Sequence, residues 1–209
     1  MVHALLSFAV VAGLLTIVPG LDTALVLRAA VIRNRQHAFA TALGIGSGTL
    51  IWGAAAAVGA SALLTASDLA YTTLRIVGAI YLIWMGIGML RGALHRSQAT
   101  IGSRENDSAR TVLGAWARGA GTNLLNPKVG VFYMAMIPQF IPVDAPHLPM
   151  GIALAALHNL EGMLWFTANI LAAGSAKTWL GRNQVRRTLD ALTGTVLIAF
   201  GMKLATDRG

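Results

Sequence analysis

Long apolar runs separated by short polar connections dominate the pattern of this chain. About 20 apolar residues are the length that crosses hydrocarbon as a helix. Six such runs are predicted: Leu5–Val31, Ala38–Ala62, Leu69–Leu90, Thr111–Phe140, Leu148–Ala172 and Leu189–Ala205. They fill the sequence and leave no room for a soluble domain. Residues 1–209 are therefore read as a single all-α integral membrane domain with six transmembrane helices.

Two runs are interrupted. In "TIVPGLDTALVLR" (Thr16–Arg28), Pro19-Gly20 breaks the first, and Asp22 follows at once. In the fourth, Asn126-Pro127 makes the break, and Lys128 follows. Each is the first helix of its half, because the polar stretch "HRSQATIGSRENDSAR" (His95–Arg110) divides the chain. That stretch is expected to be a mobile cytoplasmic loop. Repeat 1 would occupy about residues 1–94 and repeat 2 about residues 111–209. "TLRIVGAIYLIWMGI" (Thr73–Ile87) aligns without gaps with "TLDALTGTVLIAFGM" (Thr188–Met202), sharing Thr73/Thr188, Leu74/Leu189, Leu82/Leu197, Ile83/Ile198 and Gly86/Gly201. Three spans per half is an odd number, so the second half is inverted relative to the first. Paired breaks in inverted repeats point to a transporter's binding site.

The chemistry of a break supports that pointer. Proline removes a backbone donor and blocks the carbonyl one turn back. In lipid the freed groups need partners, so breaks persist where they line a protein cavity. A broken helix also exposes a new N-terminus that attracts anions. Asp22 is placed to receive an ammonium group and Lys128 a carboxylate; alternatively the two pair with each other. Charges at membrane depth are rare without a role.

Composition and charge sharpen the topology. Charged residues make up 11% of the chain, against roughly 25% in soluble domains. Of its 16 Lys and Arg, 12 lie in or beside the first, third and fifth connections, while the second and fourth carry Asp68 and Asp144 and no Lys or Arg. The positive-inside rule puts the basic connections in the cytoplasm and both termini in the periplasm. The net charge of +8 thus reflects topology, and without a basic face of interleaved aromatics it does not imply nucleic acid. The N-terminal run lacks a basic leader and a small-residue cleavage site, so it is read as a retained helix. With no cysteine, disulfide and thiolate chemistry are excluded.

"PGLDTALVLR" (Pro19–Arg28) resembles the PGPD-type signature of the LysE/RhtB amino-acid exporters, with Leu21 where the motif usually has a second proline. "GAGTNLLNPKVGVFYMAMIPQF" (Gly119–Phe140) is similar to the family's TNLLNPK segment and its downstream PQF. "ALGIGSGTLIW" (Ala42–Trp52) and "LRIVGAIYLIWMGI" (Leu74–Ile87) resemble its second and third helices. The resemblance covers nearly the whole chain. It implies export of amino acids or close derivatives across the bacterial inner membrane, driven by the proton gradient, commonly as a homodimer. The family's motif residues map to Pro19, Gly20, Asp22, Asn123, Asn126, Pro127 and Lys128.

In "ALHNLEGMLWF" (Ala156–Phe166), His158, Glu161 and Trp165 share one helical face. A carboxyl away from water suits proton binding, so coupling is expected to use Asp22 or Glu161, with His158 beside the latter; the alternative is a packing pair. Gly44, Gly46, Gly48 and Gly53 are read as helix-packing positions, Arg75 as a snorkelling interfacial residue, and the tryptophans as core or interface residues. No Walker motif, phosphate loop or nucleophile–base set appears, so neither an enzyme, an ATP-driven pump nor a cofactor is expected. A membrane assembly subunit and a divalent-metal exporter are the alternatives. Metals want several carboxylates or a thiolate, and here only Asp22, Glu161 and His158 are to hand, next to a lysine. No metal site is expected. The expected partners are an amino-acid substrate, protons and lipid.

Overall fold

The computed structural model describes residues 2–66, 68–94, 111–142, 144–180 and 182–206. Among them are nine helices and no strand: α1 (Val2–Ile17), α2 (Leu21–Ile32), α3 (Arg35–Ala66), α4 (Asp68–Leu94), α5 (Val112–Leu124), α6 (Pro127–Phe140), α7 (His147–Leu171), α8 (Ala173–Leu180) and α9 (Asn183–Thr206). The expected loop at residues 95–110 lies outside the described residues, as do the side chains of Arg75 and Pro127.

Both breaks fall where the sequence puts them. The first apolar run is two helices bent by 54°. Pro19 and Gly20 lie between them, and Gly20 caps α2 in an extended conformation (φ −125°, ψ −163°). The fourth run divides into α5 and α6. Asn126 caps α6, and Pro127 takes its first position, where a missing N–H removes nothing the helix would use. At the start of α5 the Thr111 hydroxyl accepts from Gly114 N at 3.0 Å.

The segments 35–59 of α3 and 76–94 of α4 are each long and apolar enough to cross a membrane, and the bent α1–α2 pair makes a third such segment. The second half is more polar: α7 carries His158 and Glu161, and α9 starts with Asn183 and Gln184 before its apolar stretch. Helix α8 was expected as part of a connection. Apolar run length registers burial in lipid, not helix ends, and so passed over a short helix containing Ser175, Lys177 and Thr178.

Glycines set the helix packing. A Cβ on Gly86 of α4 would lie 2.6 Å from Gly194 O and 2.7 Å from Ile198 Cγ1 of α9; one on Gly201 would lie 2.9 Å from Ala79 O and 2.8 Å from Ile83 Cγ1. Partner numbers fall as residue numbers rise, so α4 and α9 are antiparallel. The shift that aligns Thr73 with Thr188 carries Gly86 onto Gly201, Ala79 onto Gly194 and Ile83 onto Ile198. The contacts of one half are therefore those of the other. The α3–α7 crossing repeats the pattern: a Cβ on Gly53 would strike Ala155, and one on Gly151 would strike Ala57. At Gly44 it would strike Trp116 O of α5, in keeping with the packing expected of these glycines.

Two apolar clusters flank the breaks. The larger joins α1, α6 and α7 through the fully buried Phe8, Phe132, Tyr133 and Leu154. The smaller joins α2, α3 and α7 through Val26, Ala42, Ile45 and Phe166. Outside, Leu6, Val10, Ile51, Val58, Ile80 and Leu164 are exposed, as suits an apolar surrounding.

Candidate functional site

Between these clusters lies a cavity of about 80 Å³ that reaches both breaks. A water needs roughly 10–15 Å³ on this scale, so several fit. Gly20, Leu21 and Asp22 line it from the first break, Asn123, Asn126 and Lys128 from the second, and α3 and α7 close the opposite side.

Asp22 sits in the first turn of α2, where the helix dipole favours an anion. Its oxygens are held across the chain. Asn123 Nδ2 donates to Oδ2 at 2.9 Å and Asn126 Nδ2 to Oδ1 at 3.5 Å. Asn126 does two things at once, because its Oδ1 accepts the backbone N–H of Lys128 at 3.1 Å. Donors on each oxygen are what a carboxylate away from water requires. Asn123 is 1% exposed, and its Oδ1 is buried with no hydrogen-bond partner. A Cβ on Gly48 would lie 2.6 Å from that oxygen, so only glycine makes room for this carboxamide.

Lys128 is in the first turn of α6, the wrong end of a helix for a cation. Its side chain crosses to the other break: Nζ would be 3.8 Å from a Cβ on Gly20. Among the described residues no ion pair within 4.0 Å joins it to Asp22. The two helix starts also differ. In α6, Pro127 has no N–H, Lys128 N bonds Asn126 Oδ1, and Val129 N bonds Asn126 O at 3.0 Å. In α2, Gly20 supplies no side-chain cap, and the first intrahelical bond is Ala24 N to Gly20 O at 3.0 Å. The amides of Leu21, Asp22 and Thr23 therefore lack a partner within the helix. They stand on the cavity wall with the Lys128 ammonium nearby, an arrangement that suits an anion.

His158 also lines the cavity, but both ring nitrogens are engaged. Thr16 Oγ1 donates to Ala12 O at 2.9 Å. That hydroxyl has one proton, so its 3.0 Å contact with His158 Nε2 makes Nε2 the donor. Nδ1 then accepts from Tyr133 O–H at 2.8 Å, with the two rings stacked. The assignment gives one tautomer of a neutral histidine. It ties α1, α6 and α7 together beneath the aromatic cluster.

Glu161 stands apart. It is not on the cavity wall but packs against α1, 3.6 Å from where a Cβ on Gly13 would be. Its Oε2 and the indole Nε1 of Trp165, one turn further on, are buried without a partner. The structure thus brings together Gly20, Asp22, Asn123, Asn126, Lys128 and His158, with Pro19 inside the break itself, and leaves Glu161 outside. Thr16 and Asn159 escaped the sequence reading. Their signal was polarity inside apolar spans, with Thr16 just before Pro19 and Asn159 next to His158.

The chain as a whole is similar to a wider set of proteins. A family model for LysE type translocators matches residues 13–208. The chain is 30% identical over 190 residues to a threonine efflux protein of Salmonella typhimurium, covering 91% of each. It is 27% identical over 205 residues to a leucine efflux protein of Salmonella choleraesuis, covering 96% of this chain and 93% of the relative. It is also 28% identical over 205 residues to YrhP, an uncharacterized membrane protein of Bacillus subtilis, covering 96% and 98%. No solved structure matches it. With a match that runs from the last turns of α1 nearly to the end of the chain and takes in both breaks, this protein belongs to the LysE type translocator family.

Proposed function

We propose that this protein is a secondary transporter that exports amino acids or close derivatives across the inner membrane in exchange for protons. Its architecture would be six spans in two inverted three-helix repeats, with both termini in the periplasm. The reciprocal glycine contacts of α4 with α9 and of α3 with α7 support the inversion.

One observation carries the reading. The two breaks meet at a single cavity with a carboxylate on one side and an ammonium on the other, not joined as an ion pair. A zwitterion matches that pattern. Its carboxylate goes to the open amides at the start of α2 and to Lys128 Nζ. Its ammonium goes to Asp22, whose oxygens keep acceptor capacity after taking one amide each. The names of the threonine and leucine efflux relatives point the same way. Proton exchange would fall to an ionisable group in the spans. Asp22 and Glu161 are the candidates, and His158 would take part only by giving up its bond from Tyr133 or to Thr16.

Counterflow in proteoliposomes tests the proposal. Vesicles loaded with unlabelled amino acid should take up labelled amino acid, and an imposed pH gradient should drive net accumulation. Absence of counterflow for every amino acid would leave the protein a membrane component without transport.

A further inference from the structure

The wall opposite the breaks decides which side chain the cavity accepts. It is apolar at Ala42, Ile45, Met163 and Phe166. Two polar groups on it are already spent: the Thr49 hydroxyl donates to Ile45 O at 3.0 Å, and His158 uses both ring nitrogens. Asn159 differs. Its Nδ2 donates to Gly46 O at 2.9 Å, which fixes the carboxamide and distinguishes its nitrogen from its oxygen. Gly46 lets the group lie flat on α3, with a Cβ there only 3.4 Å from Nδ2. Among the described residues Oδ1 accepts no hydrogen bond.

A zwitterion held at the breaks by its carboxylate and ammonium sends its side chain toward this wall. Among the described residues no carboxylate waits there for a basic side chain, since Asp22 is on the facing wall and Glu161 is off the cavity. What the wall does offer is apolar surface and one fixed acceptor. We propose that Asn159 reads the substrate's side chain. Its Oδ1 accepts a hydrogen bond from a side-chain hydroxyl, so the cavity selects small neutral hydroxylated amino acids over apolar ones of the same shape. This selectivity rests on the amino-acid export reading. A site built to bond a hydroxyl rejects the analogue without one, because its acceptor is left unpaired.

Threonine and valine make the test, since a hydroxyl in one replaces a methyl in the other. Equilibrium binding to the purified full-length protein should favour threonine by roughly 5- to 150-fold. Asn159→Leu keeps the branched shape and removes the acceptor, and Asn159→Ala removes the whole carboxamide. In both, the threonine-to-valine ratio should fall toward one, with folding checked by the unfolding midpoint. Equal binding of the two by the unaltered protein overturns the inference. So does a ratio that survives in either folded variant. If neither variant folds, the comparison in the unaltered protein decides alone. Failure to bind any amino acid would overturn the export reading as well, whereas tight binding without preference for threonine overturns only the role of Asn159.

Discussion

Asp22→Asn separates the charge at the first break from its shape. The carboxylate accepts Asn123 Nδ2 at 2.9 Å and Asn126 Nδ2 at 3.5 Å, one on each oxygen. Asparagine offers one acceptor oxygen and one NH₂, so one neighbouring amide now faces a donor. The shorter bond, from Asn123, is the one worth keeping, and Asn126 would then turn away from its partner while still capping α6. Two losses follow. The joint between the breaks loses a charge-assisted hydrogen bond, and the substrate ammonium loses its counter-charge. A hydrogen bond to a charged group contributes about 1.5–3 kcal/mol, roughly a 10- to 150-fold change in affinity. The expected result is a drop of that size in substrate affinity with counterflow reduced in step. Binding titration and vesicle counterflow on the same preparation measure both. Glu161→Gln is the companion. If Glu161 carries the proton, that variant should lose accumulation driven by a pH gradient yet keep exchange. Asp22→Asn with unaltered affinity and unaltered proton-driven transport would refute the assignment of the ammonium to this carboxylate.

Lys128→Ala should abolish transport while leaving membrane insertion intact, and Lys128→Arg should also impair it, because a planar fork does not replace a compact ammonium in a small cavity; wild-type rates in Lys128→Ala vesicles would remove the carboxylate-binding role. Gly48→Ala should cost about 1–3 kcal/mol of stability, since the added methyl meets Asn123 Oδ1 at 2.6 Å, and should weaken counterflow without touching a charge; an unchanged unfolding midpoint would contradict the packing. Tyr133→Phe strips the donor from His158 Nδ1 and should lower stability by about 1–3 kcal/mol for the unpaired acceptor; no change would mean that the ring is not held there. Reporter fusions at Arg35, Asn106 and Arg182 should read cytoplasmic and those at Asp68 and Asp144 periplasmic, and a cytoplasmic signal at Asp144 would overturn the six-span topology.

The breaks were legible because proline, glycine and asparagine interrupt apolar runs, and the cause is local: no helix continues through Pro19 without losing a bond. The family motif put Asn123 and Asn126 in the site, but which groups hold the carboxylate was not readable from charge. Charge alone left open a pairing of Asp22 with Lys128, yet the residues that satisfy the carboxylate are two neutral amides, 101 and 104 positions away in sequence. Amides suit the task because they supply donors without cancelling the charge, which leaves Lys128 free to reach Gly20. Likewise His158 and Glu161 share a helical face in sequence, but helix period says nothing of which neighbour each meets, and α1 offers a hydroxyl at Thr16 to one and bare space at Gly13 to the other.

The internal repeat shows the same divide from the other side. Between α4 and α9 the two halves keep Gly86 and Gly201 because each must pass the other helix's backbone at close range. On the proposed inverted repeat that demand arises once in each half, and each half carries a glycine there. Gly53 and Ala57 on α3 repeat as Gly151 and Ala155 on α7 for the same reason, a four-residue spacing that the apolar background hid. At the breaks the demand is opposite. A zwitterion has unlike ends, and a symmetric pair of breaks would present like groups to both. On the export reading the two breaks should therefore differ, and they do: one is an open helix start beside Asp22 and the other a capped start that sends Lys128 across. If the breaks bind a zwitterion as proposed, the likeness of the two halves is readable where helices pack and lost where the unlike ends of the substrate would be held.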